Sequence, residues 1–295
     1  MRLSAQATGM LVVLGSAVMF GLNPLFARLA YAAGLNSVTA LIYRFFVPAI
    51  IMLVFVVRQP LDLITSLRAL GIGLGMGIGM IGYFKALETL PVGTVAVIYF
   101  TYPVFTLGIG FIFFRIAISR TGLLASAMIL IACVLILKPS ELPEDGFVAV
   151  MVAFIAPIGF AVLIHGISHW LLKLPTASRT GLLMWGQVLA LTPFILAGTD
   201  GAVIPSNLRG WIGVIGLATI SSLIPQFLVV VGAPLAGSDR TAVAGTFELI
   251  TALAIGWIVL QEPVTIRSII GGILVLGALY IYRPVTGNPI PNRTA

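Results

Sequence analysis

Four charged side chains lie inside long apolar stretches of this 295-residue chain: Arg28, Arg44, Lys85 and Glu248. A charge in the hydrocarbon core of a bilayer costs about 2.5 to 3.5 kcal/mol on insertion scales. If the stretches are membrane spans, each of these side chains therefore needs an ion-pair partner, an aqueous cavity or a function.

Arg44 and Glu248 are the deepest of the four. Arg44 lies about seven residues inside its stretch, roughly 10 Å at 1.5 Å per residue. Glu248 is the only carboxylate well inside an apolar stretch, and most residues of that stretch are Ala, Val, Thr, Leu, Ile and Gly. Three interpretations of Glu248 stay open: exchange of a coupling proton or contact with a solute, a structural ion pair with Arg44 or Lys85, and a neutral acid that faces lipid.

The other two charges lie closer to the ends of their stretches. Arg28 is about three residues from its end, so that its long stem can reach the membrane interface. Lys85 precedes Glu88 by one helical turn, which favours a local ion pair as much as it favours the lining of a cavity.

Aromatic and amide side chains at similar depth complete a candidate substrate-binding cavity. Tyr99 and Tyr102 share a helix face, and Tyr83 lies on the neighbouring helix across Pro91. Such rings combine flat apolar area with hydroxyl groups, which suits an amphipathic organic solute, although helix packing or an interfacial belt explains each ring equally well. The predicted substrate-binding residues are Asn23, Tyr43, Arg44, Tyr83, Lys85, Tyr99, Tyr102, Trp185, Gln187, Gln226 and Glu248.

The amino-acid composition indicates that most of the chain lies in a membrane. Hydrophobic residues make up 60% of the chain and charged residues 8%, whereas soluble domains carry roughly 25% charged residues. A soluble globular protein and a disordered chain are both excluded. The net charge of +7 comes from basic residues that lie singly between apolar stretches, so it indicates membrane topology and no nucleic-acid partner.

Apolar stretches of this length predict an all-α polytopic membrane protein with ten transmembrane helices, because every backbone polar group must be satisfied within the bilayer. The glycine run from Gly71 to Gly82 lies inside the third stretch and predicts close helix contact, not a dinucleotide-binding loop. The predicted spans are 8–31, 36–57, 67–90, 92–114, 119–137, 146–173, 178–198, 208–234, 240–260 and 265–282.

The distribution of Lys and Arg predicts that both termini are cytoplasmic. Three of the sixteen lie inside spans, and with the amino terminus inside, Lys138, Arg209 and Arg267 fall on the outer side. The ten on the cytoplasmic side are Arg2, Arg58, Arg68, Arg115, Arg120, Lys173, Arg179, Arg240, Arg283 and Arg293.

The two halves of the chain, 1–139 and 140–295, are weakly similar to each other. Residues 93–106 align with 239–252 at an offset of 146. Five spans in each half would make the repeat inverted, an architecture of many secondary transporters, while chance similarity of apolar helices is the alternative.

Several segments together resemble the drug/metabolite transporter superfamily, in its ten-helix EamA-type branch. Arg28 and Arg44 also occur where that family tends to carry basic residues. The segments that carry the resemblance are Tyr83-Phe84-Lys85-Ala86-Leu87, Leu90-Pro91-Val92-Gly93, Ala96 to Tyr102, Pro103-Val104-Phe105, Leu260-Gln261-Glu262-Pro263 and Gly271-Gly272-Ile273-Leu274.

The resemblance implies a secondary transporter that moves a small organic metabolite, such as an amino acid, across the inner membrane by alternating access, with export as the expected direction. A proton is the candidate coupling ion, and the oligomeric state is left open. A passive channel or facilitator is the main alternative, followed by a membrane-embedded enzyme.

The sequence predicts no catalytic, metal or cofactor site. His165 and His169 share a helix face, but a metal needs more ligands than two. No phosphate-binding loop, carboxylate pair or Ser-His-Asp order rises above background. Cys133 is the single cysteine and excludes an intrachain disulfide.

Overall fold

A computed structural model describes residues 5–59, 62–114, 118, 120–137, 146–166, 170–171, 173–197, 202–236, 244–245 and 247–281. Every regular element within these ranges is helical. The all-α class predicted from the composition is thereby confirmed for the described part of the chain.

Within the described residues, the first half contains seven helical segments, of which α1 and α2 form one broken helix and α5 and α6 another. Leu22 interrupts the first pair, directly before Asn23 and Pro24. The segments are α1 (Ala5–Gly21), α2 (Asn23–Ala32), α3 (Ser37–Val57), α4 (Leu63–Thr89), α5 (Val92–Tyr99), α6 (Tyr102–Phe114) and α7 (Arg120–Leu137).

The second half repeats this use of broken helices. Phe154 interrupts one helix just before Pro157, and π-helical turns interrupt two others. The segments are α8 (Gly146–Ala153), α9 (Ile155–His165), α10 (Thr176–Ala197), α11 (Leu208–Ile215), a π-helical segment (Gly216–Leu223), α12 (Ile224–Ala236), α13 (Phe247–Ala254), a second π-helical segment (Ile255–Val259) and α14 (Ile266–Ile281).

Side chains of polar residues start three of these helices. Asn36, Asp62 and Asn207 each accept a hydrogen bond from the backbone N–H three residues later, at the first turns of α3, α4 and α11. These bonds satisfy N–H groups that have no partner within the helix.

Among the described residues, seven helices are long and apolar enough to cross a membrane, and three apolar helices, Arg120–Ile136, Phe247–Val259 and Ile266–Ala278, are shorter. The predicted polytopic membrane class is confirmed, while the count of ten spans and the inverted repeat stay predictions. The predicted alignment of 93–106 with 239–252 includes residues outside the described ranges.

Glycines bring α4 into close contact with helices of the second half. A Cβ atom on Gly77 would lie 2.9 Å from Cα of Gln187 in α10, and one on Gly79 would lie 2.8 Å from Cα of Ala156 in α9. No side chain fits at these positions. Gly73, Gly77, Gly79 and Gly82 of the glycine run thus serve helix packing, as predicted, whereas Gly71 and Gly75 face open space.

The contacts between the halves follow a paired pattern. Helix α1 packs against α12 and α13, and correspondingly α9 packs against α4 and α6. Helices α3 and α10 pack against each other, as do α7 and α14. Cys133, which is part of α7, is buried in the hydrophobic core.

Candidate functional site

Arg44 is the centre of a buried polar cluster that joins three elements. Its Nη1 donates hydrogen bonds to Oδ1 of Asn23 at the start of α2 and to Oγ of Ser221 in the first π-helical segment, 3.1 Å away. Ser221 Oγ also donates to Asn23 Oδ1 at 3.2 Å. Because all three residues are buried, the cluster links the first half to the second inside the bundle.

Aromatic rings cover the guanidinium of Arg44. Its Cζ lies 5.6 Å from the ring centroid of Phe84 and 5.9 Å from that of Phe45. Within the described part of the chain, its buried Nε has no hydrogen-bond partner. The charge of Arg44 is therefore held by neutral acceptors and ring faces, an arrangement that suits guanidinium better than ammonium.

Glu248 lies near this cluster without forming an ion pair with it. The residue is in the first turn of α13, is partly exposed, and interacts electrostatically with Arg44, Tyr83 and Tyr99. In the described ranges, the ion pairs within 4.0 Å are Arg28–Glu262 and Lys85–Glu88. Arg44 and Glu248 thus carry opposite charges in one region, close enough to interact but without an ion pair within 4.0 Å.

Four aromatic residues from α4, α5, α6 and α9 form a continuous wall beside this region. We refer to Tyr83, Tyr99, Tyr102 and Phe160 as the aromatic wall. The Tyr99 ring centroid lies 5.7 Å from Tyr83, 6.1 Å from Tyr102 and 5.6 Å from Phe160, and Tyr102 lies 4.9 Å from Phe160. These distances are those of favourable aromatic pairs.

Of the predicted substrate-binding residues, Asn23, Arg44, Tyr83, Tyr99, Tyr102 and Glu248 are brought together. The structure places Lys85 elsewhere, because its side chain is 63% exposed and its Nζ lies 2.6 Å from Oε2 of Glu88. That ion pair is one of the two interpretations that the sequence left open.

The remaining predicted residues lie apart from the cluster. The Tyr43 hydroxyl donates to the Val203 carbonyl at 3.2 Å, and Trp185 packs edge-on against Phe46. The backbone of Gln187 packs against Gly77 of α4, and Gln226 is half-buried in α12.

A second polar cluster ties three parts of the chain together near the turn between α4 and α5. Arg28 donates from Nη2 to the Leu90 carbonyl at 2.9 Å and lies 3.8 Å from Oε1 of Glu262. Glu262 accepts from the backbone N–H of Val92 at 2.8 Å, at the first turn of α5. We call this set the Arg28–Glu262 clamp. Arg28 thus does more than reach the interface.

The clamp and the Arg44 cluster share one helix. Asn23 precedes Arg28 by five residues in α2, roughly 7.5 Å along the axis. The two clusters therefore lie about one and a half helical turns apart along α2.

The predicted histidine pair is described only in part. Nε2 of His165 lies 3.0 Å from the Thr106 carbonyl, which joins α9 to α6. His169 lies outside the described residues. Across the described ranges, no three His, Cys, Asp or Glu side chains are grouped as metal ligands would be.

Four contributors to the site were not predicted from the sequence: Ser221, Phe45, Phe84 and Phe160. A serine inside an apolar stretch has no distinctive signal, although Ser221 precedes Pro225 by four residues, a spacing that marks a perturbed helix. Phe84 stands beside the predicted Tyr83, but adjacent residues on a helix do not share a face.

Known proteins were compared with the whole chain. Residues 7–138 match the family described as the EamA-like transporter family. One solved structure, titled only as the crystal structure of a protein, is 13% identical, with a TM-score of 0.66 over 94% of this chain and 96% of its own. At that identity it shows a shared fold alone. No curated protein matches the chain.

Proposed function

We propose that this protein, whose first half belongs to the EamA-like transporter family, is a secondary transporter of a small organic solute. The solute carries a carboxylate group and is an amino acid or a similar amphipathic compound. The family is one of membrane transporters of small solutes, and it confirms the resemblance seen in the sequence. The solute class, the export direction and alternating access are the proposal.

The buried guanidinium of Arg44 is the observation that carries this proposal. Its hydrogen-bond partners are the neutral side chains of Asn23 and Ser221, so a solute carboxylate would be the first negatively charged group to accept a hydrogen bond from it. A guanidinium binds a carboxylate through two parallel hydrogen bonds, which fixes the orientation of the solute. Glu248 is then available for an amino group.

The aromatic wall supports an amphipathic solute. Phe160 and the three tyrosines provide apolar area next to the charged groups, as most small-molecule sites do. A solute with charged groups at one end and an apolar side chain at the other would match both surfaces.

Alternating access requires two units that can move against each other, and the halves 1–139 and 140–295 are our candidates. The paired packing supports an inverted repeat, since the contacts of α1 in the first half correspond to those of α9 in the second. Both of these spans are interrupted, at Leu22 and at Phe154, and each break is followed closely by a proline.

The remaining parts of the proposal concern orientation and energy. The loop charges support an inner-membrane protein with both termini in the cytoplasm. Glu248 is our candidate for carrying a coupling proton, because it is an acidic group beside the solute region. The residues of both termini, 1–4 and 282–295, lie outside the described ranges.

Ligand-dependent stabilisation of the purified protein tests the solute class. A compound that binds only the folded state raises the unfolding temperature by mass action. We expect carboxylate-bearing amphipathic amino acids to stabilise the wild type and to lose this effect in Arg44→Gln. Arg267→Gln, at an exposed position in α14, is the matched control. Stabilisation by sugars or nucleosides instead would contradict the proposed class.

Counterflow in proteoliposomes tests the transport mode. A carrier shows saturable exchange that accelerates when the same solute is present on the other side of the membrane. Flux that rises linearly with concentration, without exchange, would favour the passive channel.

A further inference from the structure

A groove on the outside of the bundle lies between α4 and α9, away from the Arg44 cluster. Its volume is about 460 Å³, and its walls are aliphatic, with Ile78 and Ile158 among them. Gly71 and Gly75 form its floor, because a Cβ atom built on either would meet no heavy atom within 4 Å. The groove is therefore an open recess beside the contact between α4 and α9, where a Cβ atom on Gly159 would lie 3.1 Å from the carbonyl oxygen of Gly75.

The length of the groove matches one leaflet of a bilayer. Arg68 and Ile78 both line it, and ten residues of helix span roughly 15 Å. The hydrocarbon core is about 30 Å thick, so the groove extends from one membrane surface to about the midplane. Helix α9 runs in the opposite direction, so Ile155 lies at the deep end of the groove. Trp170, which follows α9 in the sequence, lies at the same end of the groove as Arg68.

The charged residues lie at the membrane-surface end of this recess. Arg68 and Lys173 are exposed there and both interact electrostatically with Asp62. The Asp62 carboxylate already accepts hydrogen bonds from the side chain and the backbone of Thr65. Two cations against one carboxylate leave a net positive charge at the mouth.

We propose that this groove binds one acyl chain of an anionic phospholipid, whose phosphate group is held by Arg68 and Lys173. The recess is apolar along its length and positive only at the mouth, which is the distribution of polarity in such a lipid. The Trp170 ring, at the same end, suits the interfacial level of the glycerol backbone.

The dimensions of the groove favour an acyl chain over a helix of a second protein copy. The groove is open over roughly 15 Å, but α4 and α9 touch beside it, where a Cβ atom on Gly159 would lie 3.4 Å from Cα of Met76. A helix with side chains is about 10 Å wide, with a cross-section of about 80 Å². A single hydrocarbon chain fits this recess without separating α4 from α9.

Quenching of Trp170 fluorescence by brominated lipids tests the proposal. Trp185, Trp211 and Trp257 are replaced by Phe, and the protein is reconstituted into vesicles of phosphatidylcholine with increasing brominated phosphatidylglycerol or brominated phosphatidylcholine. We expect half-maximal quenching at an about fivefold lower fraction of the anionic lipid, as expected for one net charge at a membrane surface.

Variants separate the headgroup contact from the acyl-chain contact. The double variant Arg68→Gln/Lys173→Gln is expected to abolish the preference for the anionic lipid, and Asp62→Asn to strengthen it. Gly75→Leu fills the groove and is expected to reduce quenching by both lipids, whereas Gly15→Leu in α1, also at an open position, leaves it unchanged.

Native mass spectrometry gives a second measurement on chains with all four tryptophans. The wild type is expected to retain phosphatidylglycerol at collision energies that remove it from the Arg68→Gln/Lys173→Gln variant. Equal quenching by the two lipids, or equal retention in both proteins, would overturn the proposal. So would a change of oligomeric mass in Gly75→Leu, because it would identify a protein partner in the groove. The test does not depend on transport, so its outcome is independent of the proposed function.

Discussion

At the scale of single residues, the basic side chains of this protein differ in what balances their charge. Lys85 has Glu88 and Arg28 has Glu262, whereas Arg44 has neutral hydrogen-bond acceptors and two aromatic rings. Burying a charge without a counter-ion is unfavourable, and such residues concentrate at functional sites. This difference makes Arg44 the residue whose replacement is most informative.

The variant Arg44→Lys keeps the positive charge but removes the planar guanidinium, which can bind a carboxylate through two hydrogen bonds. We expect the solute concentration for half-maximal counterflow to rise by about tenfold or more, since a charge-assisted hydrogen bond contributes about 1.5 to 3 kcal/mol. Arg267→Lys, a conservative change at an exposed site, should leave this concentration within a factor of two. Equal values for Arg44→Lys and wild type would remove Arg44 from solute recognition.

Glu248→Gln tests proton coupling. The groups near Glu248 are Arg44, Tyr83 and Tyr99, and none of them is another carboxylic acid. We therefore expect the variant to lose most of the pH dependence of counterflow measured between pH 5 and 8. An unchanged pH profile would contradict coupling through Glu248 and would favour one of the other two interpretations of this residue.

At the scale of elements, the glycines of α4 and α10 set how closely these helices approach. A Cβ atom on Gly186 would lie 2.8 Å from Cα of Gly73, so any side chain at 186 must push the helices apart. Gly71, two residues before Gly73, faces open space. The same helix thus offers two kinds of glycine with opposite tolerance.

Alanine substitutions should reveal this difference. Gly186→Ala is expected to destabilise the protein by about 1 to 3 kcal/mol through overpacking. Gly71→Ala should stabilise it by up to about 1 kcal/mol, because alanine favours helix. Thermal unfolding in detergent measures both, and an unfolding temperature of Gly186→Ala equal to or above that of the wild type would show that packing at Gly186 is not limiting.

The start of α4 has a pH-sensitive cap. Hydrogen bonds from Thr65, assisted by the nearby charges of Lys173 and Arg68, lower the pKa of Asp62 below its usual range. Because the pKa of Asp62 is lower in the folded state than in the unfolded state, ionised Asp62 stabilises the fold at pH values above its unfolded-state pKa. This stabilisation is lost as the pH falls through the folded-state pKa of Asp62.

Asp62→Ala is accordingly expected to lower the unfolding temperature at pH 7, with a deficit that shrinks as the pH falls below 4. Asp62→Asn can still accept from the Thr65 N–H and should keep a cap that does not titrate. A deficit in Asp62→Ala that is constant with pH would show that the charge of Asp62 does not contribute.

Element boundaries show what local sequence could predict. The third span was expected from 67, but α4 begins at Leu63 because Asp62 and Thr65 form the cap before the apolar run starts. The break at Phe154 was not predicted, since its nearest signal, Pro157, fits a continuous kinked helix equally well.

At the scale of the whole molecule, most of the site residues that were predicted from residue type and depth in the membrane lie together in the structure. Asn23, Arg44 and Tyr99 come from three helices and meet because polar groups in lipid are directed inward. The partner of Arg44 in the second half, Ser221, is 177 residues away, and helix periodicity contains no information on such a contact. Depth could be read from the sequence, but pairing between helices could not.

The Arg28–Glu262 clamp should control how firmly one end of the bundle is closed. In Glu262→Gln, the acceptor of the Val92 N–H loses its charge, and Arg28 loses its ion-pair partner. We expect hydrogen exchange of the first amides of α5 to accelerate about fivefold, as for a loss of about 1 kcal/mol.

Glu88→Gln is the matched control, because Glu88 accepts from the N–H of Ser37 at the start of α3. It should accelerate exchange there and leave Val92 unchanged. Acceleration at both helix starts in either variant would indicate general loosening of the bundle in place of a local clamp.

The burial of Cys133 makes the outer surface of the protein free of thiols. It is the only cysteine among 295 residues, and it is 4% exposed. A cysteine introduced at any exposed position would therefore be the sole site for a spin label or a fluorophore, without prior removal of the natural one. The movement between the two halves that alternating access requires could then be tested by distance measurements on an otherwise unaltered chain.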